Sequence, residues 1–391
     1  MNPRFSLAFL VAPIGLACAQ PPNGGAPANV VADLTAADVL RVVERVADWQ
    51  LANPSTHSPT DWTQAAGYAG IMALADISTS PRFRDAMLKM ANGNGWKLGP
   101  RPYHADDHCV GQTYAELFFR LKDPAVIAPM RQQFDWILAH PKDANLDFDP
   151  TRNPDRLDRW SWCDSLFMAP PAWLRLSAAT GAKSYLEFAV ERWWQTSDFL
   201  YDRDEHLFFR DSTYFARREA NGKKVFWSRG NGWVLAGLVR VLQYLPADHP
   251  ARPRFLQQYR EMTDRILGCQ QPDGLWRSSL LDPANYPLQE TSGSGFYCYA
   301  LAWGVNQGLL DGARFEPAVL KAWRGLAACV APDGKLTHVQ PIGADPKKFD
   351  ETATEVYGVG AFLLAGSEVH HLLLRGPQPV SGQANNHGVN Q

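Results

Sequence analysis

Two acidic positions and one arginine carry most of the chemistry this sequence offers. Asp107 and Asp164 stand in short polar stretches, HADDH and WCDSLFM, each just ahead of a run of apolar and small residues. Paired carboxylates facing each other across a cleft are the usual equipment for acid–base cleavage of a glycosidic bond. Asp164 lies among Trp160, Trp162 and Met168. Low polarity and a nearby like charge would raise its pKa and keep it protonated as an acid, while a helix N-terminus would pull the other way. Met168, four residues on, shares its helix face and could pack beside a ligand. The segment VFWSRGNGW places Arg229 between Trp227 and Trp233 at a helix start. A cation is unfavourable there, so capping does not explain it. His104 and His108 flank the two aspartates four residues apart, close enough to share a helix face. No third metal ligand has recognisable spacing, so capping plus one acidic site residue is preferred to a metal. There is no phosphate-cradling glycine loop after a strand, no G-x-S-x-G and no C-x-x-C.

The elements that must hold these residues repeat. Six segments share a polar, often acidic start followed by small and aromatic residues at helical spacing, beginning near Asp61, Ala105, Trp162, Ser228, Glu290 and Glu351. The period is roughly 58 residues. Each follows a more charged amphipathic stretch: 37–53, 82–91, 124–140, 185–200, 253–270 and 315–330. In the first of these, Leu40, Val43, Val46 and Trp49 mark one apolar face. Charged helices with a wet face belong outside, and helices rich in Gly and Ala belong inside. Six such hairpins with no polar cap favour closure into an all-α (α/α)6 toroid over an open solenoid. Short hairpins are expected in the loops at 206–209, 273–276 and 333–336. In a closed ring the inner helices run the same way, so their N-termini crowd onto one rim. That rim would carry Trp62, Asp106, Asp107, Asp164, Arg229, Glu290 and Glu351, a funnel suited to a polar ring-shaped ligand.

Composition excludes several classes. The chain of 391 residues has a formal net charge of -2, which argues against coating a polyanion. It is 46% hydrophobic and 20% charged, as soluble globular proteins are. Residues 1–19 have the pattern of a secretory signal peptide: Arg4, an apolar stretch to Ala17, then Ala17-Cys18-Ala19 as the cleavage site. Cys18 raises a lipoprotein alternative, but Gly15-Leu16-Ala17 is a poor lipobox. Export to the periplasm or beyond is the expectation. A linker at 20–34, the toroid at 35–375 and a disordered tail at 376–391 complete the division. The five remaining cysteines, Cys109, Cys163, Cys269, Cys298 and Cys329, are odd in number and irregularly spaced, so they are expected to be buried thiols.

Three motifs together, FWSRGNGW (226–233), WCDSLFMAPPAWLRL (162–176) and ETSGSGFYCYALAWGVNQGLLD (290–311), resemble the unsaturated glucuronyl and rhamnogalacturonyl hydrolases of glycoside hydrolase family 105, with family 88 as its relative. The resemblance covers roughly residues 35–370. It implies removal of a 4,5-unsaturated uronic acid from the non-reducing end of lyase-made oligosaccharides. A protonated Asp donates to C4, water adds at C5 and the hemiketal falls apart, with no metal or cofactor. It implies Asp164 as the donor and Asp107 as its partner, with Asp106 the rival. Trp227, Arg229, Trp233 and Met168 would contact the sugar, and Trp62, Asp106 and His104 join them on the rim. Family members carry a His in the hairpin before W-x-R-G-N-G-W, where this chain has Arg210. An arginine cannot act as a base near neutral pH but can hold a carboxylate through two hydrogen bonds. Other readings are an ordinary inverting glycosidase, a uronide lyase, or a silent sugar-binding protein on the same ring.

Overall fold

Residues 34–143 and 145–375, with Met1, are described in the computed structural model. The signal peptide and most of the linker, and the tail at 376–391, lie outside the described residues. The outer helices are α1 (Ala36–Ala52), α3 (Arg82–Gly93), α6 (Ala128–Ala139), α9 (Lys183–Leu200), α11 (Arg252–Leu267) and α13 (Gly312–Ala328). The inner set is α2 (Trp62–Ile77), α5 (Gly111–Leu121), α8 (Pro170–Thr180), α10 (Ser228–Leu242), α12 (Thr291–Asn306) and α14 (Val356–Leu374). Two single turns, α4 (Ala105–His108) and α7 (Ser165–Met168), precede α5 and α8. Each inner helix packs on the next, and α14 returns to pack on α2. The fold is the closed (α/α)6 toroid that the repeats predict.

The small residues of the inner set are what allow closure. Where α14 meets α2, a Cβ on Gly360 would sit 2.1 Å from the carbonyl oxygen of Ala66, and one on Gly70 would sit 2.4 Å from that of Gly360. Only glycine lets these two backbones approach so closely. The outer helices use charge and caps instead. Thr35 begins α1 with a capping box, its hydroxyl accepting from the Asp38 N–H while Asp38 reaches back to the Thr35 N–H.

Three expectations are corrected. The last inner helix starts at Val356 with Glu355 as N-cap, and Glu351 lies in an exposed turn before it. Among the described residues only one of the three loop hairpins forms paired strands, β1 (Tyr201–Asp202) with β2 (Leu207–Phe208), in antiparallel register. The segment at 333–336 contributes a single bridge, Val330 to Leu336, and 273–276 forms a tight turn around Gly274 at φ +90°. Gly274 and Gly334, the latter at φ +100°, instead press these turns against the Lys321 and Arg45 backbones, where a Cβ would lie 2.4 and 2.8 Å from the carbonyl oxygens. The five cysteines are all buried and free, as expected.

Because the α2–α14 seam tolerates no side chain at these glycines, Gly360→Val should destabilise the protein by at least roughly 2 kcal/mol. Thermal denaturation checks this, and an unchanged melting temperature would contradict so close a seam.

Candidate active site

The motif that begins α10 is a set of spacers around one cation. A Cβ on Gly230 would lie 2.9 Å from the Trp227 ring and 3.1 Å from Cys163 Sγ, so glycine brings α10 against the turn that carries Asp164. Asn231 clamps the β2 strand: its carbonyl accepts from the Phe208 N–H at 2.7 Å and its amide donates to the Phe208 carbonyl at 3.0 Å. That clamp fixes Phe209 and Arg210 beside α10. Gly232 lies against Gly293 and Phe296 of α12. Trp233 is buried against Phe167, Phe296 and Trp62, so it is core rather than an open platform.

Arg229 is wholly buried. It donates to the main-chain carbonyls of Gln340 at 2.6 Å and Pro341 at 3.0 Å. Its guanidinium lies 4.5 Å from the Trp227 ring centre and 4.9 Å from that of Tyr357. Its Nε has no hydrogen-bond partner, and among the described residues no carboxylate pairs with it within 4 Å. A buried cation with no carboxylate paired to it is costly. Trp227 is likewise buried and donates its indole N–H to Gln340 at 2.9 Å. Of the expected aromatic platforms, Trp62 alone keeps part of its surface free. It stacks on Tyr357 with ring centres 5.2 Å apart.

The acidic residues divide sharply. Asp107 accepts from the Arg101 backbone N–H at 2.7 Å and from its Nη2 at 2.5 Å, and the Gly99 backbone passes directly beside it. It clamps the loop ahead of α4, and its carboxylate is fully engaged. Glu290 accepts from the Ser292 and Gly293 N–H groups and caps α12. Asp211 accepts from the Thr213 N–H and from Arg210. Asp106 is different: among the described residues no donor lies within hydrogen-bond distance of its carboxyl group. His104 caps α4 instead, its Nδ1 accepting from the Asp106 N–H at 3.3 Å. Burial, then the charge of Asp164, pushes Asp106 up to about 7. Asp164 makes no capping bond, and among the described residues its carboxyl group has only the Cys163 thiol as hydrogen-bond donor, at 3.7 Å. Burial raises its pKa, opposed by the charges of Arg210 and Arg229.

The structure therefore brings together Asp106, Asp164, Arg210 and Arg229, and gives Asp107 a different set of partners from the one expected. Arg210 donates to Asp211 at 2.7 Å, stands 3.6 Å from Asp164 Oδ2 through Nε, and lies over Phe148 at 4.6 Å. Met168 is packed into the core beneath. His104 leans on Trp162 and burial lowers its pKa to about 4. His108 does not pair with His104: its Nε2 faces the Pro102 carbonyl at 2.7 Å, and its Nδ1 accepts from the Trp173 indole at 3.2 Å. Among the described residues no group of three or more His, Cys, Asp or Glu side chains could hold a metal ion. The sequence missed Tyr357, Gln340 and Phe148. Phe148 lies in an irregular loop with no periodicity, while Gln340 acts from a loop that returns to the rim only when the ring closes.

The sequence model described as Glycosyl Hydrolase Family 88 matches residues 40–373. The chain belongs to that family. Family 88, placed second to family 105 from the motifs, is thus the one whose model matches. An unsaturated 3S-rhamnoglycuronyl hydrolase of Formosa agariphila is 39% identical over 334 residues, 83% of this chain and 88% of that protein. A protein of the same name from an Alteromonas strain is 35% identical over 350 residues, 84% of this chain and 85% of that one. A solved structure named a polysaccharide lyase superposes with a TM-score of 0.79 at 34% identity, covering 88% of this chain and 99% of its own. The protein is a glycoside hydrolase of this family, and the toroid is the family's scaffold.

The two neighbouring aspartates should separate in stability measurements. Asp107→Asn should cost about 1–3 kcal/mol, because it breaks hydrogen bonds to a buried carboxylate whose arginine partner is half exposed. Asp106→Asn should stabilise the fold above about pH 4. The folded pKa of Asp106 lies above its ordinary value, so wild-type stability falls as pH rises toward about 7, and asparagine removes that loss. Thermal unfolding across pH reads both; an Asp106→Asn protein less stable than wild type at pH 7 would contradict the assignment.

Proposed function

We propose that this glycoside hydrolase removes a 4,5-unsaturated uronic acid from the non-reducing end of an oligosaccharide, with Asp164 protonating C4 and water adding at C5. The observation that carries this reading is a buried Asp164 and a half-buried Asp106, both free of strong hydrogen bonds, beside a buried arginine with no carboxylate paired to it within 4 Å. The arginine suits the uronate carboxylate. The partner of Asp164 is Asp106 rather than Asp107, since a group that holds Arg101 in place is not free to exchange a proton with water. Trp62 offers a partly open face for the sugar, and the names of the two curated relatives point to rhamnose as the next unit. The amino-terminal pattern supports export, which suits an enzyme acting on polysaccharide fragments.

In the reaction, Asp164 protonates C4 of the enol ether, and positive charge develops at C5 and the ring oxygen. The two bare carboxylates stabilise that charge, and one of them accepts a proton from the attacking water. The hemiketal at C5 then opens and releases the sugar. The structural neighbour named a lyase supports a second reading, β-elimination on the same ring. The two differ in sign: hydration destroys the conjugated C4=C5 chromophore, and elimination creates it.

The mature protein mixed with lyase digests of ulvan, pectin, heparin and alginate should lower the ultraviolet absorbance of one digest. A rise with intact polysaccharide would establish the lyase instead. Asp164→Asn should reduce turnover by roughly 10²–10⁴ while leaving ligand binding nearly intact, and near-normal turnover would sink the donor role. Arg229→Ala should weaken binding of carboxylate-bearing sugars selectively; equal loss for neutral and acidic sugars would remove the uronate contact.

A further inference from the structure

Asp164 and Asp106 share a site but not their surroundings. Arg210 stands against Asp164, with its Nε 3.6 Å from Oδ2. That Nε is buried and has no hydrogen-bond partner. Its other side is tethered to Asp211, which is itself held by Thr213, and its face rests on Phe148. The guanidinium is therefore fixed in position, not swinging on a long side chain. Arg229 on α10 adds a second positive charge toward Asp164, while Asp211 adds a negative one and the Cys163 thiol is a weak donor. Asp106 has no arginine at that distance; its Oδ2 lies 3.8 Å from His104 Nδ1. The nearest arginine on its own segment, Arg101, is bound to Asp107. His104 beside it is kept neutral by burial, and Arg210 reaches it only at longer range. The charge of Asp164 acts on Asp106 within the site, so the two do not both ionise easily and the pair holds one proton near neutral pH. The cations decide which oxygen carries it.

We propose that Arg210 is a positioning residue that keeps Asp164 as the carboxylate in the resting enzyme and leaves the shared proton on Asp106 until an anionic sugar arrives. This rests on the uronide reading above. The uronate carboxylate, facing Arg229 and Arg210, cancels the charge that holds Asp164 ionised. The Asp106 proton then passes to Asp164. Asp164 gives it to C4 as the C4=C5 electron pair forms the new C–H bond. Water bonds to C5 and loses its proton to Asp106, now a carboxylate and able to act as the base. Both residues end as they began, with one water added. The single proton thus supplies the acid and creates the base, and neutral sugars leave the dyad in its idle state. The arginine in place of the family histidine adds a fixed positive charge to the donor, where a neutral imidazole would add none.

The resting state is tested without any substrate. Infrared difference spectra of the whole protein near pH 6 report the buried carboxylic-acid carbonyl stretch. Asp106→Asn should remove the dyad's band and Asp164→Asn should retain it; loss in Asp164→Asn with retention in Asp106→Asn would overturn the proposal. This arm stands even if the substrate is a different sugar. Adding saturated glucuronate as the probe should move the band to Asp164, and neutral glucose should not. In kinetics, Arg210→Gln should shift the acid limb of the kcat/KM profile upward by about one to three pH units, and Arg210→Lys should keep it near wild type. A raised KM in Arg210→Gln with both limbs unmoved would make Arg210 a simple substrate contact and contradict the positioning role.

Discussion

Six helices packed side by side and pointing the same way must bring six positive dipole ends to a single rim. Everything else in this protein follows from that constraint. It sets where a ligand rich in oxygen can bind, and it makes the rim friendly to carboxylates. Most of the acids there serve that field directly: Glu290 caps α12, and Asp61 caps α2 through the Thr63 N–H. Asp106 and Asp164 belong to the same rim but do not cap. Each sits on a separate single turn before its main helix, set off in one case by Pro170 and Pro171. A proline cannot donate the next helical hydrogen bond, so the turn carrying Asp164 is uncoupled from α8. The carboxyl groups are left without strong donors, which is what proton transfer requires.

The two ends of the ring use charge in opposite ways. At the far end, Arg175 and Arg240 share Glu116; Arg240 also donates to the Gln112 side chain, and Arg175 to the main-chain carbonyls of Pro171 and Arg240. Cations are favoured there, and these are satisfied by partners. At the catalytic rim Arg229 stands against the dipole, sandwiched between two rings and lacking a carboxylate partner. A cation placed at the unfavourable end, and left unpaired, is a structural expense that the fold alone does not explain. The proposed uronate would offset it.

Much of this was legible in the sequence, and the reason is periodicity. The first and second outer helices begin within one residue of the expected stretches, because an amphipathic helix repeats its apolar face. The glycine-rich inner helices were legible for the complementary reason: helices buried on most sides carry few charges, and those such as Arg175 and Arg240 are paired. What local pattern could not give was direction. Asp106 and Asp107 are adjacent, and one step along a helix turns a side chain by about 100°. Which one faces the funnel depends on the path of residues 99–101, a contact no spacing encodes. The family motif put Trp227 and Trp233 at the sugar, and helix spacing put Met168 beside Asp164, but neither motif nor spacing reports burial, and all three are buried. The start of α14 was misplaced because Glu351 resembles a cap, whereas Glu355 is the residue from which the helix departs.

The central claim is that the enzyme adds water across C4=C5 and leaves the anomeric bond untouched in the chemical step. Running the reaction in deuterium oxide enriched in oxygen-18, with mass and NMR analysis of the released uronide, tests this most directly. Hydration places deuterium at C4 and the heavy oxygen at C5. Heavy oxygen at C1 with no deuterium at C4 would mean ordinary glycosidic hydrolysis and would contradict it.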